Sequence, residues 1–367
     1  MSWYSTPLQF AYIFSLLFAL IFAFRGWQEE RLNKKLLAFL MLIMALELQD
    51  YTFGFSGINI LWNEYNGFPR GVNLLFGPAM YFYLKAQLNR NFKLKPSHAL
   101  HLAPWAFFFL PQLLVFLMGP EQVEKTANTE LHQWMTQLAY WIRLFSYAWY
   151  FYQSWRLLKT FRLWLKNRFS QVETVSMAWF QNFIFIMVSW VVFRELMNII
   201  DSMADLPFKQ DWWWNLALAF AAVYVGISGL NQRQPADLVF EEPSKQSPDE
   251  STITAQDENQ SLMQMVDQKM EKERFFLQPE LTLRELAAQL KLSASDLSGA
   301  INATKKVNYN DYVNAWRVME FIRVYPLPEN KAYTILSIAY DCGFNSKATF
   351  NRAFKKETGK SPKEYFA

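Results

Sequence analysis

Seven stretches of predominantly apolar residues lie within the first 230 positions, at 8–24, 36–55, 72–88, 99–118, 134–152, 179–200 and 212–230. A helix needs roughly 20 such residues to cross the hydrocarbon core of a bilayer. Seven in succession exceed what an ordinary soluble core demands, and they point to a seven-helix transmembrane domain over residues 1–230. The mean hydropathy of the whole chain, −0.04, conceals this because the residues beyond 230 are polar. Aromatic residues are 18% of the chain, with 15 Trp and 34 Phe. Trp and Tyr gather at several ends of the stretches, as in Trp149-Tyr150 and Trp212-Trp213-Trp214, where amphipathic rings meet the headgroup layer.

Loop charge fixes the orientation. Three alternate loops carry thirteen basic residues: Arg25, Arg31, Lys34 and Lys35; Lys85, Arg90, Lys93 and Lys95; Arg156, Lys159, Arg162, Lys166 and Arg168. The other three loops hold only Arg70, Lys125 and Lys209. Basic residues favour the cytoplasmic side, so the N-terminus falls outside and everything after 230 falls in the cytoplasm, an arrangement that requires an odd number of spans. The expected location is a bacterial inner membrane, crossed several times. The opening MSWYSTPL has no basic stretch and does not read as a cleaved secretory signal.

Glu47, Asp50, Arg143, Arg194 and Glu195 are charged residues inside the apolar stretches. Charges in lipid are costly and default to function or to mutual pairing. The topology places Arg143 near the midplane and the others toward the outer half. An outward-facing polar pocket is expected, in which Arg143 or Arg194 pairs with Glu47 or Glu195 and a small-molecule or envelope signal binds; the alternative is an ion pair that only stitches helices together.

Residues 231–258 change character. Pro235, Pro243 and Pro248 oppose helix, and seven acidic residues face two basic ones, a net charge of −5. Few residues there can bury anything, so the segment reads as a disordered acidic tether with an end-to-end distance of roughly 30 Å. No metal or cofactor is expected. Cys342 is the chain's one cysteine, and His98 and His101, though three apart, lack partner ligands. No nucleophile–base arrangement suggests an enzyme.

From 259 to 367 the pattern is soluble and helical. Leu262, Met265, Val266 and Met270 share a helix face that runs to about Phe276. Thr282 and Glu285 have capping-box spacing. They open a short helix with Leu286, Ala287 and Leu290 inward, a turn at Lys291-Leu292-Ser293, and a second helix with Leu297 and Ile301 inward. That second helix exposes Ser295, Asp296, Ser298 and Asn302. A linking helix follows over 309–325, stopped by Pro326 and Pro328. The pattern then repeats. Thr334 opens a helix with Ile335, Ile338 and Ala339 inward, Cys342-Gly343-Phe344 make the turn, and a last helix buries Phe350 and Phe354. Ser346, Lys347, Asn351, Arg352 and Lys355 lie on its outer face. Short helix, tight turn, short helix is the helix-turn-helix spacing. Between 331 and 367 seven basic residues oppose three acidic ones, a balance suited to phosphate contacts.

These residues resemble the DNA-binding domain of AraC-type (arabinose-regulator type) transcription factors. The resemblance rests on Leu292-Ser293 and Leu297-Ser298, on the run Ile338-Ala339-Tyr340-Asp341-Cys342-Gly343-Phe344, and on the run from Phe350 to Gly359 followed by Ser361-Pro362 and Tyr365. It implies an all-α fold of two helix-turn-helix subdomains joined by a helix, each placing a recognition helix in one of two successive major grooves. Carried over by position, Ser295, Asp296, Ser298 and Asn302 read bases in the first unit, and Ser346, Lys347, Asn351 and Arg352 in the second, with Lys355 and Lys356 on phosphates. Gly299 stands where the family often has arginine, and Lys291 replaces the turn glycine of the first unit. The resemblance implies double-stranded DNA as a partner; the lipid bilayer, a second copy of the chain and an unknown small-molecule or envelope signal are the other expected ones. The leading expectation is a membrane-bound one-component regulator of transcription; a transporter-like protein with a DNA-binding tail and a non-sensing membrane tether are the competing ones.

Overall fold

A computed structural model describes residues 6–56, 68–170, 177–206, 212–232, 240 and 254–366. Among them every regular element is a helix. The chain divides into two compact units: residues 1–158 with 177–241, and residues 159–176 with 242–367.

The first unit contains α1 (Thr6–Gln28), α2 (Leu32–Ser56), α3 (Asn73–Leu88), a 3-10 turn (Pro96–Leu102) running into α4 (Ala103–Leu117), the short α5 (Pro120–Ala127), the larger part of α6 (Glu130–Arg168), α7 (Met177–Ala204) and α8 (Trp212–Asn231). Each apolar stretch of the sequence falls on helix, the 99–118 stretch on the 3-10 turn and α4 together. Among the described residues, four segments are long and apolar enough to cross a membrane: Thr6–Gln28, Pro96–Leu117, Trp179–Ala204 and Trp212–Asn231. Of the other stretches, the one on α2 lies only partly within the described residues, and the described part of that helix carries Lys34, Lys35 and Glu47. α3 has 16 residues, about 24 Å at 1.5 Å per residue. The 134–152 stretch on α6 is rich in Trp and Tyr, which are only weakly apolar by hydropathy.

α1 is apolar on all sides. Leu8, Ala11, Phe18 and Phe22 are buried, while Phe10, Ile13, Leu17, Leu20 and Phe24 face outward. The outward faces of α4 (Phe107, Leu110, Leu114, Leu117) and α7 (Phe185, Val192, Phe193, Leu196) have the same character. A helix that is hydrophobic all round belongs in a deep core or in lipid, and water rarely tolerates exposed apolar faces of this extent.

Two expectations need correction. The basic residues Arg156, Lys159, Arg162, Lys166 and Arg168 are not in a loop: α6 continues through all of them. Leu157, Leu158, Phe161 and Leu165 give that extension its own buried stripe at helical spacing. The acidic tether is also not wholly unburied. Phe240 is 3% exposed and its N–H donates to the Leu88 carbonyl at 3.3 Å. Residues 233–239 and 241–253 lie outside the described residues, and helix resumes at Thr254, inside the expected tether.

The second unit holds α9 (Thr254–Glu273), a 3-10 turn (Phe275–Leu277), α10 (Leu283–Leu290), α11 (Ala294–Lys305), α12 (Tyr309–Val324), α13 (Ile335–Asp341), α14 (Lys347–Thr358) and α15 (Pro362–Tyr365). α12 separates two cores. Tyr309, Tyr312 and Val313 pack with Val266, Met270, Leu286, Leu297 and Ile301. One and a half turns later, Val318 and Phe321 pack with Ile338, Phe344, Phe350 and Phe354. Side-chain caps fix the helix starts: Thr282, Ser293, Asn308, Thr334, Ser346 and Ser361 each accept from the backbone N–H three residues on.

The two helix-turn-helix turns are built alike. In the first, Leu292 N–H donates to Ala287 O at 2.8 Å and Lys291 N–H to Ala288 O at 3.1 Å. In the second, Phe344 N–H donates to Ala339 O at 3.1 Å and Gly343 N–H to Tyr340 O at 2.9 Å. Both are Schellman endings, which need a left-handed residue after the helix. Gly343 supplies it at φ 91°, and Lys291 supplies it at φ 58°. Lysine there carries a steric penalty of roughly 1–2 kcal/mol. At Gly343 glycine is doubly required, because a Cβ would sit 2.5 Å from the Phe276 carbonyl oxygen. Lys291→Gly should therefore slow hydrogen exchange of the α10 and α11 core amides by about fivefold, a gain of about 1 kcal/mol. Gly343→Ala should speed exchange in α13 and α14 by at least as much.

Candidate DNA-binding face

α11 buries Leu297, Ala300 and Ile301 and turns Ser295, Asp296 and Asn302 outward, with Ser298 half-buried beside them. Asn302 Nδ2 reaches Ser298 Oγ at 3.5 Å, so the two sit on one ridge. Asp296 lies in the first turn, its N–H bonded to the Ser293 cap at 3.0 Å, where the helix dipole favours a carboxylate. A side chain at Gly299 would meet no atom within 4 Å, so the position where the family often carries arginine is open.

α14 buries Thr349, Phe350, Ala353 and Phe354 and exposes Lys347, Asn351, Arg352, Lys355 and Lys356. Among the residues carried over from the resemblance, Ser346 and Lys356 each have a named partner within the domain. Ser346 is the N-cap: its Oγ accepts from the Thr349 N–H at 3.1 Å and its hydroxyl meets Thr349 Oγ1 at 3.0 Å. Lys356 is paired with Asp311 of α12 at 2.6 Å. Lys305, at the end of α11, is likewise paired with Asp267 of α9 at 2.7 Å.

The residue that sequence reasoning passed over is Arg317. It is fully buried. Its Nε donates to Phe276 O at 2.7 Å, and its Nη2 to Gln278 O at 2.7 Å and Pro279 O at 3.2 Å. Nη1 donates to Asn314 Oδ1 at 3.2 Å, and the guanidinium lies 5.9 Å from the centre of the Phe344 ring. One side chain thus ties the segment entering the first unit to the turn of the second. Burial pulls its pKa down to about 10, which leaves it charged at neutral pH. The signal was present in the sequence: 310, 314, 317 and 321 form one helical stripe, and an arginine inside such a stripe must be bonded. Cys342 is buried beside Phe344, its thiol pushed up to about 12 by burial, and is chemically quiet.

The first unit holds a polar cluster of its own. Arg194, 8% exposed, meets Glu195 at 2.8 Å, Glu47 at 3.6 Å and the Tyr147 hydroxyl at 3.1 Å, and lies over the Trp190 ring. Arg143 meets Glu195 at 3.5 Å, and Asn73 turns its amide to Glu47. Glu47, Arg70, Arg143, Trp190, Arg194 and Asn215 line a cavity of about 280 Å³. The Asp50 side chain lies outside the described residues. His98 and His101 do not converge on shared ligands: His98 Nδ1 accepts from Lys95 N–H at 3.1 Å and His101 Nδ1 meets the Tyr150 hydroxyl at 2.6 Å.

Residues 286–367 match the family model described as a helix-turn-helix domain, of the AraC type. The match spans α10 to the last residue and so takes in both helix-turn-helix units. It marks the C-terminal part of this chain as the domain of a DNA-binding transcription regulator. No curated protein and no solved structure matches the chain.

The pairing of Lys356 with Asp311 separates it from its neighbour. Removing one phosphate contact lowers the salt slope of DNA binding by about 0.9. Lys355→Ala should show that loss in the log–log plot of affinity against salt, whereas Lys356→Ala should leave the slope nearly unchanged.

Proposed function

We propose that the chain is a membrane-bound one-component transcription regulator. It is anchored by seven transmembrane helices with the N-terminus outside, and it binds specific DNA from the cytoplasmic side through two helix-turn-helix units. The observation that carries this reading is the union, in one chain, of a helical unit with apolar outward faces and a domain of the DNA-binding regulator type. The alternation of basic residues between loops supports the placement of that domain in the cytoplasm.

In this reading α11 and α14 enter successive major grooves. Lys347, Asn351 and Arg352 read base edges in the second, Ser295, Asp296, Ser298 and Asn302 in the first, and Lys355 holds a phosphate. The first helix has short polar readers and no arginine, so the second carries more of the discrimination. The cluster of Glu47, Arg143, Arg194 and Glu195 beside its cavity is the sensor site. A small polar ligand there acts through its difference in affinity for two packings of the helices, since buried ion pairs are strongly destabilised when one partner is drawn away.

Mapping of bound sites across the genome for the intact protein tests both parts. The wild type should occupy few sites, each with two half-motifs about 10–10.5 bp apart. Arg352→Ala should cost about 1–3 kcal/mol at cognate sites and relax one base position. Glu47→Gln with Arg194→Leu should keep the sites but lose their dependence on growth conditions. Uniform occupancy that Arg352→Ala does not alter would mean a non-specific tether.

A further inference from the structure

α6 runs without interruption from Glu130 to Arg168, and from Lys159 onward it belongs to the second unit. Phe161 and Leu165 in that end are fully buried. The chain leaving the helix is held by the DNA-binding domain's own backbone. Phe169 forms an antiparallel bridge with Thr282, and the Ser170 N–H donates to the Leu281 carbonyl at 3.3 Å. α12 holds it from the other side. Asn310 Nδ2 donates to the Ser170 carbonyl at 2.6 Å and to the Phe169 carbonyl at 3.3 Å. Asn314 Nδ2 reaches the same Ser170 carbonyl at 3.3 Å, and Arg317 Nη2 reaches Ser170 Oγ at 3.3 Å. Ser170, Asn310, Asn314 and Arg317 are all buried. Arg317 is also needed inside the domain, where it binds Phe276, Gln278 and Pro279. Asn310 is different: apart from a bond to its neighbour Asn314 at 3.2 Å, its hydrogen bonds go to residues 169 and 170. A buried amide costs free energy unless it is bonded, so its place on the linking helix is explained by the segment it holds.

We propose that the Asn310–Asn314–Arg317 face of α12, together with the start of α10, is a docking surface for the C-terminal end of α6 of the same chain. α6 is then a structured strut into the first helix-turn-helix unit, and a displacement of that helix reaches α10 and α12 without passing through residues 241–253. The proposal rests on the functional reading above only in placing both partners in the cytoplasm.

Disulfide trapping in the full chain, in native membranes, tests the surface directly. The bonding pattern makes 169 and 282 a non-hydrogen-bonded antiparallel pair, whose Cα atoms lie about 4.5 Å apart, within disulfide reach. A protease site placed between 241 and 253 allows the product to be read on a gel. Phe169→Cys with Thr282→Cys, oxidised mildly, should leave the C-terminal fragment attached after cleavage and release it on reduction. Cys342, buried, should stay out of the reaction. Because Thr282 is a helix cap, Ser170→Cys with Asn314→Cys serves as a second pair and should behave alike. Phe169→Cys with Asn302→Cys, which puts the second thiol on the outer face of α11, should not link. Adding Asn310→Leu to the first pair should cut its yield about threefold or more. Absence of linkage in both close pairs, or equal linkage in the α11 pair, would overturn the proposal. Sequence-specific DNA binding by the same preparations keeps the two readings apart. Binding without linkage rejects the docking surface alone, and linkage without specific binding rejects the regulator alone.

Discussion

Burial of the guanidinium of Arg317 organises the DNA-binding half of the molecule. A charged side chain removed from water must recover its hydration from the protein, and Arg317 does so through carbonyls of Phe276, Gln278 and Pro279 and through Asn314. The three carbonyls come from the segment that leads into the first helix-turn-helix unit, while the Phe344 ring over which the guanidinium lies belongs to the turn of the second. The two cores on either side of α12 are small and would otherwise be free to pack independently. With one unsubstitutable donor set between them, the first unit's entry and the second unit's turn are fixed to the same point on α12. Gly343 completes the arrangement, since the Phe276 carbonyl and Arg317 Nε crowd the place where its side chain would be.

The other half follows the opposite rule. Its helices carry large apolar residues outward as well as inward, and four of the charges inside its apolar stretches are gathered at one place. Arg194, Glu47, Glu195 and Arg143 neutralise one another across α2, α6 and α7, with Tyr147 and Asn73 completing the set. A hydrophobic exterior and a paired polar interior invert the usual order of a soluble protein. Removing one partner of such a buried set leaves the others unpaired, at a cost of about 3–5 kcal/mol.

Much of the C-terminal domain was legible in the sequence because its signals are local. Thr282 and Thr334 stand at the starts of their helices, Gly343 marks a left-handed turn, and the inward residues recur at helical spacing. What the sequence hid depends on contacts distant along the chain. The pairing of Lys356 with Asp311, on another helix, is one such contact. Arg317 was passed over because nothing within a few residues says that its partners lie about 40 positions earlier. In the first unit the apolar stretches were plain, and the extension of α6 was not. Its basic residues dominate the local composition, and the buried stripe of Leu157, Leu158, Phe161 and Leu165 shows only when the helical period is followed through them.

The proposed function requires one chain to serve two solvents, lipid for the first unit and cytoplasm for the DNA-binding domain. Protease accessibility in oriented membranes measures this most directly, with a C-terminal tag as the readout. The full chain should stay in the membrane pellet through an alkaline wash, with the tag protected in intact spheroplasts and cleaved in inside-out vesicles. Release of the full chain without detergent, or loss of the tag from intact spheroplasts, would contradict it.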